Sequence, residues 1–221
     1  GHVTVGLAPT TATVLALPLI NAMRERYPDI QLHLVEMLSG HLAAQLNSRQ
    51  IDLAILFQLD GGKRWSVRPL LNEKLFVIAA PDFPHAPRGK SVELAELGTL
   101  PLVMPSAQHG LRSVLMSAFE RLGLVPNIVM EIDGLAVLMN AVRAGHAATM
   151  QPGAAAALVD SRLSSVEITD VDVCRRNILA TLADDELSSA VLATRLVITE
   201  VARQLVVDKR WPGATWMHDG S

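Results

Sequence analysis

Between Val3 and Phe57, stretches patterned as strands alternate with stretches patterned as helices, and this order constrains the fold more than any other feature of the chain. Val3, Val5 and Leu7 alternate with smaller or polar residues, as in a strand, and Gly6 allows close backbone approach. Pro9-Thr10-Thr11 then supplies a turn and hydroxyls suited to cap a helix. Val14, Leu15, Leu17, Leu19, Ile20, Met23 and Tyr27 recur at helical spacing until Pro28, with a kink predicted at Pro18. Ile30 to Glu36 alternates strictly, and Ser39-Gly40 opens a second helix carrying Leu42, Ala43 and Leu46. Asp52 to Phe57 follows as an apolar strand of the kind buried on both faces. This βαβαβ order predicts a doubly wound parallel sheet with a ligand crevice at the strand carboxyl ends, near Pro9 to Thr11, Ser39-Gly40 and the residues after Phe57. A helix N-terminus placed there exposes unpaired N–H groups and partial positive charge, so it can receive an anion. Capping of their own helix would explain the same threonines.

Composition narrows the function classes. Half of the 221 residues are hydrophobic and no apolar run reaches the roughly 18 residues that span a bilayer, so a soluble, well-packed α/β protein is expected. Gly1-His2-Val3 lacks the basic segment and apolar core of a signal peptide. A net charge of −3 offers no basic field for nucleic acid, and with few aromatic residues a stacking surface for single strands is not expected. The single cysteine, Cys174, excludes an internal disulfide and any multi-cysteine metal site, which fits a reducing compartment. No metal and no cofactor is expected.

Further along, Asp60-Gly61-Gly62-Lys63-Arg64 reads as a loop, and Leu70 to Ala80 is long and apolar enough to pass from one domain into another. A second cycle then begins. Ser91 to Leu97 reads as a short helix, Leu100 to Met104 as a strand, Pro105 to Gly110 as a polar loop, and Leu111 to Leu122 as an amphipathic helix. Ile128 to Ile132 is a strand, and Asp133 is placed to cap the helix from Leu135 to Ala144, which Gly145 closes. Ala147 to Pro152 forms a small-residue strand, followed by an alanine-rich helix from Gly153 to Val159. Val166 to Ile168 and Asn177 to Leu182 read as closing strands, the second a return crossover. Ser188-Ser189 caps a long helix through Leu205, and Trp211 to Trp216 lacks periodicity, as in a tail or edge segment. The repeated β-then-helix rhythm predicts two like-sized lobes, lobe I over 1–76 and 182–221 and lobe II over 77–181.

With these residues in order, the chain resembles the effector-binding domain of LysR-type transcriptional regulators, of periplasmic-binding-protein-like (type 2) architecture: α/β, two Rossmann-like lobes and a hinge. The matching stretches are Val3-Thr4-Val5-Gly6-Leu7 with Pro9-Thr10-Thr11, Leu17-Pro18-Leu19, Tyr27-Pro28-Asp29-Ile30, Asp52-Leu53-Ala54-Ile55, Leu100-Pro101-Leu102-Val103, Glu131-Ile132-Asp133 and Val142-Arg143-Ala144-Gly145. Their order and spacing, rather than any one of them, carries the resemblance. The Trp211-Pro212-Gly213-Ala214 segment and the Pro105-Ser106 loop resemble the subgroup of nitrogen-assimilation and aromatic-sulfonate regulators. Two positions depart from the family. Arg49 stands where glycine is usual, implying a different helix end, and Ala147 replaces the second glycine of a G-x-G, narrowing the space beside Met150.

The resemblance implies a small, anionic effector held between the lobes by hydroxyls and amides at helix N-termini. The matching positions are Thr10, Thr11, Ser39, Pro105, Ser106, Asp133, Met150 and Gln151. It also implies a cytoplasmic, non-enzymatic regulator with no membrane partner, whose missing N-terminal winged helix-turn-helix makes all DNA contact. The expected assembly is a homodimer of this domain, pairing the Val14 to Tyr27 region with the partner's Leu111 to Leu122 helix, and a tetramer when full-length. A solute-binding protein of a transport system shares this fold and is the alternative. An enzyme is disfavoured because HExxH, G-x-S-x-G and P-loop motifs are absent, and Asp184-Asp185-Glu186 reads as a solvated loop or cap.

Overall fold

The computed structural model describes residues 1–57, 65–107, 109–156 and 162–217. The Asp60 to Arg64 loop and the end of the helix expected to reach Val159 lie outside them. The chain divides into two compact units, Gly1–Asn72 with Arg176–Ser221 and Glu73–Arg175.

In the first unit, β1 (His2–Leu7), β2 (Gln31–Glu36) and β3 (Leu53–Leu56) are parallel, and β1 lies between the other two. Helix α1 (Pro9–Arg26) joins β1 to β2, and α2 (Ser39–Asn47) joins β2 to β3. Pro9 suits the start of α1, where a missing N–H costs nothing, and Arg24 and Arg26 suit its end. The helix runs uninterrupted past Pro18. Gly6 is required by packing: a Cβ there would lie 2.5 Å from Leu42 Cδ2 and 2.9 Å from Ile51 Cδ1. Its absence lets α2 seat Leu42 and Leu46 over Ala54, Leu56 and Ala180 in one core cluster.

The sheet is mixed rather than all parallel. Strand β10 (Cys174–Leu182) pairs antiparallel with β3, and β4 (Trp65–Ala79) lies on its other side. These two long strands carry the chain out of the first unit and back. Helix α6 (Ser189–Val207) packs on α1, with the Ser188 hydroxyl accepting the Val191 amide at 3.2 Å as its cap. The Trp211 to Trp216 segment is no loose tail. Trp211 is buried, β11 (Ala214–Trp216) pairs with β4, and the Met217 amide donates to the Leu70 carbonyl.

In the second unit, the far half of β4 pairs antiparallel with β8 (Thr149–Pro152) and β9 (Ser164–Ile168), and β9 pairs parallel with β5 (Ser91–Val92). Ser91 to Leu97 is therefore not one helix. Its start adds to a sheet edge, and a single 3-10 turn over Leu94–Leu97 follows. Strand β6 (Leu102–Met104) pairs parallel with β7 (Ile128–Glu131); α3 (Gly110–Arg121) follows β6 and α4 (Leu135–Arg143) follows β7. After β8 comes the four-residue helix α5 (Gly153–Ala156). Strand alternation sends neighbours to opposite cores. Leu102, Met104, Val77 and Met150 pack with Leu111, Leu115 and Phe119 of α3, whereas Val103 and Ile78 pack with Leu138, Met139 and Val142 of α4.

Helices α2, α3, α4 and α6 end alike. The second residue past each C-cap donates to the carbonyl five positions back, and the residue before it donates three back. This 6→1 and 5→2 pattern requires a left-handed residue between them. Gly123 and Gly145 fill it in α3 and α4, at φ 67° and 78°. Arg49 and Lys209 fill it in α2 and α6, at φ 62° and 55°. Arg49 thus preserves the helix end that glycine would make, contrary to the expectation of a different one.

Candidate functional site

In the first unit, the parallel pairing of β1 and β2 sets Leu7 beside Glu36, so the two helices that follow begin at the same end of the sheet. The Met37 amide donates to the Leu7 carbonyl at 3.1 Å and joins the two loops. The N-caps are Ala8 and Leu38, whose side chains cannot accept a hydrogen bond, and neither first turn contains an acidic residue. Thr10 and Thr11 are therefore not N-caps, because α1 starts before them at Pro9. They lie buried in its first turn, and the Thr10 carbonyl accepts the Thr13 hydroxyl at 2.6 Å. Thr11 Oγ1 is completely buried and has no hydrogen-bond partner. A buried hydroxyl left in that state costs on the order of 1–3 kcal/mol. Ser39 is the first helical residue of α2 and is 9% exposed.

The second unit repeats this plan. Strands β6 and β7 are parallel neighbours, and the loops after them are tied by Asp133, whose carboxylate accepts the Ser106 amide at 2.7 Å and the Ser106 hydroxyl at 3.2 Å. Asp133 does not cap α4; Gly134 is the N-cap, and Asp133 reaches back across to the β6 loop instead. Pro105 is buried, and its carbonyl accepts from Arg112 Nη1 at 3.3 Å. Met150 is wholly inside the apolar core. Gln151, on the opposite strand face, donates to Thr149 Oγ1 at 3.2 Å, which in turn donates to the Val103 carbonyl at 2.9 Å.

Three further buried polar residues of this unit, His109, Glu73 and Arg175, were not singled out in the sequence. His109 is the N-cap of α3, with Nδ1 accepting the Leu111 amide at 3.1 Å. This leaves the ring hydrogen on Nε2. Burial, and next the Arg175 guanidinium, push its pKa down to about 3 against the opposing pull of Asp133. Arg175 Nε donates to Glu73 Oε2 at 2.8 Å, and both side chains are completely buried. Burial lowers the Arg175 pKa and the Glu73 carboxylate opposes that shift. Strand parity held the signal. Glu73 shares the buried face of Leu71, Leu75 and Val77, and Arg175 that of Asn177 and Leu179. Outside this loop, exposed Asp184 is held below its usual pKa by hydrogen bonds from the buried Arg195 and then from Ser66. Among the described residues, no group of His, Cys, Asp and Glu could hold a metal ion, and no helix is long and apolar enough to cross a membrane.

The nitrogen assimilation regulatory protein nac of Klebsiella aerogenes is 31% identical over 157 residues, 71% of this chain and 50% of its own. The chain thus spans about half the length of the curated relatives it matches first. The Corynebacterium glutamicum OxyR C206 mutant superposes with a TM-score of 0.79 at 26% identity, over 94% of this chain and 66% of that one. The Synechocystis PCC6803 CcmR regulatory domain in complex with 2-PG gives a TM-score of 0.82 at 19% identity, over 93% and 99%. The last comparison concerns fold alone: α/β, of the periplasmic-binding-protein-like type 2 kind. Residues 1–203 match the family described as the LysR substrate binding domain, and the chain belongs to that family.

Proposed function

We propose that this domain is the ligand-sensing part of a cytoplasmic LysR-type transcriptional regulator, and that it binds a small anionic effector. LysR-type regulators act by binding rather than by catalysis. The observation that carries the reading is the pair of helix N-termini, α1 and α2, at one sheet end. Their N-caps have no accepting side chain, their first turns have no carboxylate, and the unpartnered Thr11 hydroxyl lies in one of them. With a net charge of −3, long-range attraction does not recruit an anion, so local N–H groups and hydroxyls must hold it. Thr10, Thr11 and Ser39 are the candidate contacts in the first unit, and Pro105 and Ser106 those in the second. Asp133 would orient Ser106, Gln151 would line the site, and Met150 would support it from the core. The complex of the CcmR regulatory domain with 2-PG supports a small ligand on this fold.

Binding would shift a conformational equilibrium that sets how the full-length protein presents its DNA-binding heads. The exposed apolar residues Leu17 and Ile20 of α1, Met116 of α3 and Leu122 at its C-cap support a homodimer of this domain, and membership of the family suggests a tetramer when full-length. A thermal-shift screen over small carboxylates, sulfonates and inorganic anions tests the reading, since a ligand that binds only the folded state raises stability with concentration. Stabilisation that saturates with one such anion is expected. Equal response to anions and neutral compounds would contradict the reading, as would sequence-selective retardation of duplex DNA by this domain alone.

A further inference from the structure

Every hydrogen that Ser106 can donate is already given. Its amide goes to Asp133 Oδ1 at 2.7 Å and its hydroxyl to Asp133 Oδ2 at 3.2 Å, and an ionised carboxylate only accepts. The neighbouring carbonyls are engaged as well. That of Ser106 takes the His109 amide at 3.1 Å, and that of Pro105 takes Arg112 Nη1 at 3.3 Å. The Arg112 guanidinium is in turn anchored on Glu131 at 2.6 Å. What remains open is the oxygen of the Ser106 hydroxyl. No described residue donates to it, and Ser106 is half-buried rather than enclosed.

A hydroxyl that donates to a carboxylate is polarised by it, which makes its oxygen the stronger acceptor. The loop therefore offers a ligand an acceptor, the opposite of what the uncapped helix N-termini of the first unit offer. An anionic group gains nothing at Ser106, because Asp133 repels it. A group with a hydrogen to give does gain. An ammonium has three hydrogens for this one open acceptor, and the Arg112 cation at Pro105 offsets the pull of Asp133 on it. A hydroxyl has one hydrogen and no charge. We infer that the effector is a hydroxy acid, carrying besides its anionic group a hydroxyl that donates to Ser106 Oγ. Asp133 and Arg112 are the positioning residues, since they hold the Pro105-Ser106 peptide by its N–H and its C=O. The inference deepens the effector reading by naming the ligand's chemical class, and it rests on that reading.

The test is calorimetric titration with three matched sets of anions: propionate, lactate and alanine; succinate, malate and aspartate; ethanesulfonate, isethionate and taurine. Within a set the members differ by one hydroxyl or one ammonium. In the set that binds most tightly, the hydroxy acid should bind about fivefold more tightly than the unsubstituted acid, as one neutral hydrogen bond provides. It should also bind more tightly than the amino member. Ser106→Ala should bring the hydroxy and unsubstituted acids within about twofold of each other while leaving the unsubstituted acid's affinity as it was. Ser106→Thr, which keeps the hydroxyl, should retain the preference. Equal binding of the hydroxy and unsubstituted acids, or tightest binding of the amino member, overturns the hydroxy-acid inference and leaves the effector reading standing, because an anion still binds. A preference that survives Ser106→Ala overturns the part given to Ser106. If no member of any set binds, the effector reading falls and the inference with it, a result distinct from binding without preference.

Discussion

Asp133 holds Ser106 by both its amide and its hydroxyl, at 2.7 and 3.2 Å, across 27 residues of sequence. Two positions expected to face an effector separately are already partners, and one is a carboxylate that an anion at Ser106 would meet. Asp133→Asn keeps an acceptor for the amide and removes the charge. It should tighten binding of a bound anion by about fivefold, from about 1 kcal/mol of relieved repulsion in this exposed loop. Calorimetric titration of both proteins with the same anion reads the difference. Asp133→Ala should lower stability by about 1 kcal/mol in denaturant unfolding, from the lost hydrogen bonds.

The helix ends give a prediction independent of function. Lys209 holds at φ 55° the position that glycine holds in α3 and α4. Lys209→Gly should stabilise by about 0.5–1 kcal/mol, the left-handed strain relieved less the added freedom of the unfolded chain. For a chain of this size that is a rise of about 2 °C in Tm. Arg49→Gly should gain less, because it also loses the half-exposed ion pair with Glu186, worth about 0–1 kcal/mol.

His109 makes stability depend on pH. Its folded pKa of about 3 lies below the ordinary histidine value of 6.5, so between those values the unfolded chain binds the additional proton. Its contribution is therefore complete above pH 6.5 and declines as pH falls, by at most about 1.4 kcal/mol per pH unit, levelling off near pH 3. Denaturant unfolding from pH 7 to 4 should show a shallower slope for His109→Asn than for the parent. Identical slopes would contradict the neutral buried ring.

Assembly is checked by light scattering. Leu17 is 65% exposed on α1, a large apolar side chain facing water beside the exposed Ile20. The domain should scatter as a two-fold dimer at tens of micromolar, and Leu17→Glu should shift it toward monomer without lowering Tm. A strictly monomeric parent would contradict the proposed dimer.

Period and punctuation made much of the fold legible. The strands of the first unit, the Ser188 cap and the Gly145 helix end all follow from local rules that the tertiary structure leaves in force. The rules failed where long-range pairing decides. Ser91 joins a sheet edge, Trp211 to Trp216 is recruited by β4, and β10 runs against β3, none of which is written in its own neighbourhood. In the candidate site the sequence supplied the residue types at the strand carboxyl ends but misplaced the helix caps. Thr10, Thr11 and Asp133 all resemble caps in sequence, yet Ala8 and Gly134 hold the cap positions. The Glu73–Arg175 pair required reading a charged residue on an apolar strand face as a buried partner of another far along the chain.

The central claim is that hydroxyls at the α1 and α2 N-termini hold an anionic effector. The most direct measurement is calorimetric titration of the parent, Thr11→Ala and Ser39→Ala with whichever carboxylate, sulfonate or inorganic anion gives the largest thermal shift. Hydrogen bonds to charged groups contribute about 1.5–3 kcal/mol, so each variant should bind roughly ten- to hundredfold more weakly. Neither hydroxyl is an N-cap, so Tm should change little. Affinity within twofold of the parent, with Tm lowered, would contradict the account and reduce both residues to structural parts of their helices.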